Sequence, residues 1–153
     1  MQLLTGARIG EVLSSKWHDF DLERDVWIKP SHHTKQKRTE HLPLSGAAVA
    51  LVASLRDAAA PGQELLFPGR VAGQPIKDLK HFWKAVISTA SLTDYRIHDN
   101  RHTHASHLVS SGLSLPIVGR LLGHTNPMTT QRYAHLADDP LRQAAEVMAK
   151  KLA

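Results

Sequence analysis

The side chains best suited to chemistry lie in three short stretches. These are Thr5-Gly6-Ala7-Arg8-Ile9-Gly10-Glu11, His98-Asp99-Asn100-Arg101-His102-Thr103 and Leu122-Gly123-His124-Thr125-Asn126-Pro127-Met128-Thr129-Thr130-Gln131-Arg132-Tyr133. Arg8 and Arg101 suit a task in which negative charge gathers on non-bridging phosphate oxygens. A guanidinium is always protonated and offers several fixed donors, where a lysine holds less rigidly. The hydroxyl of Tyr133 has an unperturbed pKa of about 10, so as a nucleophile it needs a base or a strongly positive field. The neighbouring histidines and arginines offer both. Each residue also has an ordinary reading. Arg8 suits a surface position at a helix start, Arg101 a buried pair with Asp99, and Tyr133 a half-buried helix aromatic. His98 and His102 have the i, i+4 spacing of a zinc pair, but no Glu follows His98 and the chain has no cysteine. Glu11 reads as a structural partner of the first stretch rather than as an acid catalyst.

The elements that must position these residues follow from capping signals and apolar spacing. Leu3 and Leu4 read as the end of a helix that Thr5-Gly6 terminates. Ile9, Val12 and Leu13 then predict a short amphipathic helix with Arg8 at its beginning, followed by Trp17 and an acidic turn at Asp19-Phe20-Asp21. Val26-Trp27-Ile28 and His41-Leu42-Pro43-Leu44 predict two strands of a hairpin whose basic tip is residues 31–40. Ser45 caps a predicted helix running to about Ala59, closed by Pro61-Gly62, and residues 65–69 read as a brief strand or turn. Ile76, Leu79, Phe82, Trp83, Val86 and Ile87 make the strongest helical stripe and are expected in the core, with Trp17 and Trp27 also packing. Asp99 is the expected N-cap of a helix closed by Gly112, on which Arg101 aligns with Ala105 and Leu108 and points inward, leaving His107 exposed. Ser114 is expected to cap the next helix, which buries Ile117, Val118, Leu121 and Leu122 and stops at Gly123. Asn126-Pro127 opens a short helix expected to hold Tyr133, and Asp139-Pro140 opens a last one reaching Leu152.

Together, in this order and spacing, the three stretches resemble the catalytic boxes of the tyrosine recombinases, the phage integrase family. Thr34-Lys35 followed by Leu42-Pro43-Leu44 is similar to that family's Lys-bearing β-turn, so the resemblance spans nearly the whole chain. Lys37 and Arg38 share the same tip and compete with Lys35 for the role. The resemblance implies a mainly α catalytic domain with a small antiparallel β-sheet, acting in site-specific DNA recombination by metal-independent strand cleavage and rejoining. It implies Arg8, Lys35, His98, Arg101, His124 and Tyr133 as the catalytic set. Tyr133 would form a 3′-phosphotyrosyl link, His98 would manage its proton, His124 would donate to the phosphate, and Lys35 would protonate the departing 5′-hydroxyl. No cofactor and no metal are implied.

The resemblance further implies double-stranded DNA as partner. Residues 140–152 would dock on a neighbouring protomer, giving a homo-oligomer on DNA and a monomer for the isolated chain. Two departures stand out. Asn100 occupies a position where the family usually has an apolar residue, often Leu, and is expected to loosen the packing there. The chain also opens at the first box, so residues 1–153 read as a catalytic domain without the family's N-terminal core-binding domain and without its first helix or two. The rival readings are a catalytically inactive DNA-binding integrase remnant, a type IB topoisomerase and a His-cluster metalloprotein. Leu-Gly-His followed by Thr-Thr-Gln-Arg-Tyr favours the recombinase over the topoisomerase.

Composition agrees with this picture without deciding it. A chain of 153 residues with 42% hydrophobic side chains suits one domain with a real core. Nineteen Lys and Arg against fourteen Asp and Glu give a charge of +5 before any of the eleven histidines protonates, which suits a polyanionic partner. The lack of cysteine excludes disulfides, thiolate zinc sites and cysteine nucleophiles. No run of about eighteen apolar residues and no signal-peptide layout is present, so a cytoplasmic protein is expected.

Overall fold

The computed structural model of the chain describes residues 1–32, 34, 37–137, 147 and 149. It divides into two compact units, Met1–His104 and Ala105–Ala153, with the division falling inside one helix. The outcome is the mainly helical chain with one small sheet that the sequence predicts.

In the first unit, helix α1 (Gln2–Thr5) ends at Gly6, whose φ of 63° is the left-handed turn a glycine adopts without penalty. Helix α2 (Ile9–Ser14) begins after an extended Arg8, whose backbone N–H donates to Glu11 Oε2 at 3.2 Å in a capping-box arrangement. A 3-10 turn at Trp17–Asp19 leads into a three-stranded antiparallel sheet of order β1-β2-β3, with β1 (Phe20–Asp21), β2 (Val26–Lys29) and β3 (Glu40–Pro43). The hairpin is the expected one. Strand β1 is not: the Asp19-Phe20-Asp21 stretch read as a turn, yet Phe20 pairs with Trp27 and their rings stack at 5.2 Å. Trp27 and Lys29 alternate onto the same buried side of β2. Helix α3 (Gly46–Asp57) is capped as expected by Ser45, whose side chain accepts from the Ala48 N–H at 3.4 Å, and it buries Ala48 and Val52 completely.

Helix α4 (Lys80–Thr89) corrects an expectation. It starts beyond Ile76 and Leu79 and contains no buried residue, and Phe82 is 62% exposed. Its apolar stripe faces an open cavity of about 1080 Å³ within the first unit, lined among others by Val12, Phe67, Ile76, Leu79, Phe82 and Trp83. Periodicity had located the apolar face correctly, but that face borders a void rather than a filled core.

Helix α5 (Asp99–Ser110) carries Arg101 in the first unit and Ala105 and Val109 in the second. In the second unit, α6 (Leu115–Leu121), α7 (Met128–Gln131) and a 3-10 turn at Ala134–Leu136 follow. Ala105, Val109, Val118, Leu122 and Tyr133 form the core of this unit. Ser114 occupies the N-cap of α6 but its side chain makes no capping hydrogen bond. Ile117, expected inside, is 52% exposed, because a short helix buries one stripe and Val118 with Leu122 occupies it. The expected last helix and the proposed docking segment, residues 140–152, lie outside the described residues save for Val147 and Ala149, both helical. No helix among the described residues is long and apolar enough to cross a membrane.

Candidate active site

Gly6 sets the geometry around the two arginines. By turning the chain between α1 and α2 it presents its carbonyl to α5, where Arg101 Nη1 donates to it, immediately upstream of the extended Arg8. Arg101 is 3% exposed, pointing inward as the i, i+4 alignment requires. The Asp99 carboxylate accepts from the Arg96 N–H at 2.7 Å and pairs with Arg96 Nε at 3.6 Å, from the first position of α5 rather than from the cap. His98 sits exposed just before α5. Partial burial and the charges of Arg101 and, more weakly, Arg8 pull its pKa below the ordinary histidine value, against the opposing pull of Asp99. It is therefore biased toward the neutral imidazole, the form that can accept a proton. The His102 ring stands edge-on to His98 at 5.1 Å, and no group of three metal-ligating side chains occurs among the described residues.

Asn100 corrects the expectation of loosened packing. It is buried, donates to Gln2 Oε1 at 3.2 Å and accepts from the Tyr95 hydroxyl at 3.0 Å, and that hydroxyl also meets Thr103 Oγ1 at 3.0 Å. Trp83 Nε1 in turn donates to the Tyr95 carbonyl at 3.1 Å. The polar residue is built into a network that ties α1, α4 and α5 together. One face of α5 thus holds hydrogen bonds where a leucine would hold apolar contacts.

Arg8 is held from behind. Its Nη1 donates to Glu11 Oε1 at 2.8 Å, and Glu11, only 3% exposed, lies 3.3 Å from the buried Nζ of Lys29. Lys29 is also ion-paired with Glu40, its register partner on β3. Burial pushes the Glu11 carboxyl upward as the largest single effect, but Lys29 and the Arg8 hydrogen bonds together bring it below the usual glutamate value.

In the second unit, His124 Nδ1 and Thr130 Oγ1 are 2.8 Å apart. With the hydroxyl donating to Nδ1, the neutral ring carries its proton on Nε2, where it can act as a donor. Thr130 can approach because residue 119 has no side chain. A Cβ on Gly119 would lie 2.8 Å from Thr130 Oγ1. The Thr130 carbonyl accepts the backbone N–H of Tyr133 at 3.0 Å, so one buried threonine links both catalytic candidates of this unit. Tyr133 lies beyond the end of α7, at the start of the following 3-10 turn, rather than within the helix. It is 6% exposed, more buried than the half-buried helix aromatic considered from sequence.

The first unit therefore assembles Arg8, His98 and Arg101, and the second assembles His124 and Tyr133. Lys35 lies outside the described residues. Sequence reasoning passed over Lys29, Glu40, Gly119 and Thr130. Of these only Thr130 carried a signal, its position in the third box between His124 and Tyr133.

The phage integrase family model matches residues 1–139, and the chain belongs to that family. It is 30% identical to the tyrosine recombinase XerC of Xanthomonas axonopodis pv. citri, covering 86% of this chain and 43% of that protein. With the XerC of Bacillus pumilus it shares 34% identity over 91% of this chain and 48% of that protein, and with the integrase of Salmonella phage P22 26% over 94% and 39%. The chain thus spans less than half the length of these relatives. Among solved structures, the catalytic domain of bacteriophage HP1 integrase superposes with a TM-score of 0.70 at 23% identity, over 95% of this chain and 76% of that one. The XerH site-specific recombinase bound to difH substrate gives 0.73 at 24%, over 96% and 44%. The fold is that of a tyrosine recombinase catalytic domain.

Proposed function

We propose that this chain is the catalytic portion of a tyrosine recombinase that cleaves and rejoins double-stranded DNA at specific sites. The observation that carries the reading is the convergence of both box arginines on one turn. Arg101 bonds the Gly6 carbonyl, and Arg8 lies two residues on with its guanidinium held by Glu11. Two fixed guanidinium groups suit the non-bridging oxygens of a phosphodiester, where charge rises in the transition state. Tyr133 Oη attacks the phosphorus, forming a 3′-phosphotyrosyl bond as the bond to the 5′-oxygen breaks. The tyrosine proton passes to His98, His124 donates to a phosphate oxygen, and Lys35 gives a proton to the leaving 5′-hydroxyl. Attack by a DNA 5′-hydroxyl on the phosphotyrosyl bond reverses the steps and reseals the strand, so the energy of the bond is retained without a nucleotide.

The relatives support this reading by their own descriptions. XerH is described with its difH substrate, and the Tn1549 transposon integrase with circular intermediate DNA. We infer that this chain acts likewise on DNA in the cytoplasm, as a homo-oligomer assembled on its site through residues 140–152.

A nicked suicide substrate, whose leaving strand diffuses away after cleavage, tests the proposal. The expected product is a protein–DNA adduct stable to denaturant, absent with Tyr133→Phe although DNA binding persists. If the native chain binds DNA and never forms the adduct, even with a recombinase core-binding domain supplied, the catalytic reading fails and a DNA-binding remnant is left.

A further inference from the structure

A lysine is seldom enclosed in a protein unless its charge is matched. Lys29 is 2% exposed on β2, ion-paired with Glu40 from β3 and with Glu11 from α2, its Nζ 5.9 Å from the centre of the Trp27 ring. Glu11 passes the contact on, accepting from both the guanidinium and the backbone N–H of Arg8. The charges alternate along Glu40, Lys29, Glu11 and Arg8, leading from the sheet to the first box. Among the described residues, the charges facing Glu11 are Arg8 from the start of α2 and Lys29 from β2, with Glu40 of β3 behind Lys29.

We propose that Lys29 is a positioning residue for cleavage, a buried counter-charge that keeps Glu11 an ionised acceptor and thereby fixes the Arg8 guanidinium. This rests on the assignment of Arg8 as a phosphate ligand. The physical reason is an opposition of two effects. Burial favours the protonated carboxyl, and Lys29 is the largest influence against it. Without Lys29, burial pushes the Glu11 carboxyl toward its neutral form, in which one oxygen carries an O–H that faces a group with only donors of its own. The Arg8 guanidinium then loses the charge that draws it to Glu11. A role limited to sheet stability makes a different prediction, because a buried ion pair can be exchanged for neutral side chains with little loss of stability.

The test combines carboxyl ¹³C titration of Glu11, the Arg8 side-chain ¹⁵N signal and adduct formation on the nicked substrate. The native chain, Lys29→Met, Lys29→Arg and the charge-balanced Lys29→Met/Glu40→Gln are compared. Glu11 should titrate below the ordinary glutamate range in the native chain and above it in both methionine variants, with the Arg8 signal shifting in step with Glu11 in each chain. Adduct formation at neutral pH should fall about tenfold in Lys29→Met, recover as pH rises, and return with Lys29→Arg. An unchanged Glu11 midpoint, or an Arg8 signal indifferent to Glu11 titration, overturns the proposal whether or not an adduct forms. A loss whose pH profile parallels that of the native chain overturns it too, leaving a structural role. Should Lys29→Met fail to fold, the charge-balanced variant carries the same measurements. An Arg8→Ala chain with native adduct yield would instead sink the assignment of Arg8, with the two spectra still deciding on Lys29.

Discussion

His98 is the residue whose chemistry is most open to measurement by pH. It is drawn toward the neutral form by partial burial, Arg101 and Arg8. In the proposed role of acceptor for the Tyr133 proton it has to be unprotonated, so on that proposal cleavage should rise with pH through a midpoint on the acid side of the ordinary histidine value of about 6.5. Arg101→Gln should move that midpoint upward while also slowing cleavage, because the largest neighbouring charge disappears. Rates of adduct formation between pH 5 and 8 decide this, and a midpoint at or above the ordinary value in the native chain would remove His98 as the base. Tyr133 presents the complementary problem. Its ring belongs to the packed core of the second unit, so substitutions there alter packing as well as chemistry. Phenylalanine, which keeps the ring, is therefore the informative replacement.

At the scale of elements, the contact between α6 and the segment before Tyr133 controls a side chain neither contains. Gly119→Ala would ordinarily favour a helix by about 1 kcal/mol. Here the added methyl meets Thr130 Oγ1, the partner of His124, so adduct formation should drop even where the melting temperature is maintained. Native cleavage by Gly119→Ala would show that the Thr130–His124 hydrogen bond does not matter. Such couplings mark the limit of what sequence conveys. Helix α2, its Arg8 start, the Gly6 turn and the Ser45 cap were legible because their signals are local. Strand β1 was not, since a two-residue strand exists only through its pairing with β2 and the stacking of Phe20 on Trp27. The stripe ahead of and along α4 was legible as apolar, but periodicity does not say whether anything fills the space beside it. Lys29 and Glu40 were invisible for a related reason, as their meaning depends on Glu11 in another element.

At the scale of the whole molecule, the titrating groups act in one direction. His98 and His104 have lowered pKa values, His104 because burial and the charge of Arg101 outweigh its hydrogen bond to the Leu3 carbonyl. Both bind protons more weakly folded than unfolded, so their contribution is complete above about pH 6.5 and is lost as pH falls through their folded values. Glu11, also lowered, contributes fully above its unfolded value of about 4.3 and is lost on further acidification. The melting temperature should therefore fall on acidification from pH 8, first as the half-buried Met1 amine, whose pKa burial lowers from about 8, takes up its proton. The histidines follow, with half-buried His104 outweighing exposed His98, and Glu11 comes last. Thermal scans from pH 8 to pH 3 check this, and a single decline confined to the carboxylate range would contradict the histidine contribution.

The Gln2–Asn100–Tyr95 network makes the order in which substitutions arrive consequential. Restoring the family's usual leucine by Asn100→Leu would strand the side-chain amide of the buried Gln2, at roughly 1–3 kcal/mol, and leave the Tyr95 hydroxyl to Thr103 Oγ1. Chemical denaturation should find that single change destabilising and a joint Gln2→Leu/Asn100→Leu change far milder, an interaction energy that additive costs would not give. On that expectation a leucine at position 100 costs least once position 2 has already changed, so two sites at nearly opposite ends of the first unit's sequence are coupled in the order of their substitution.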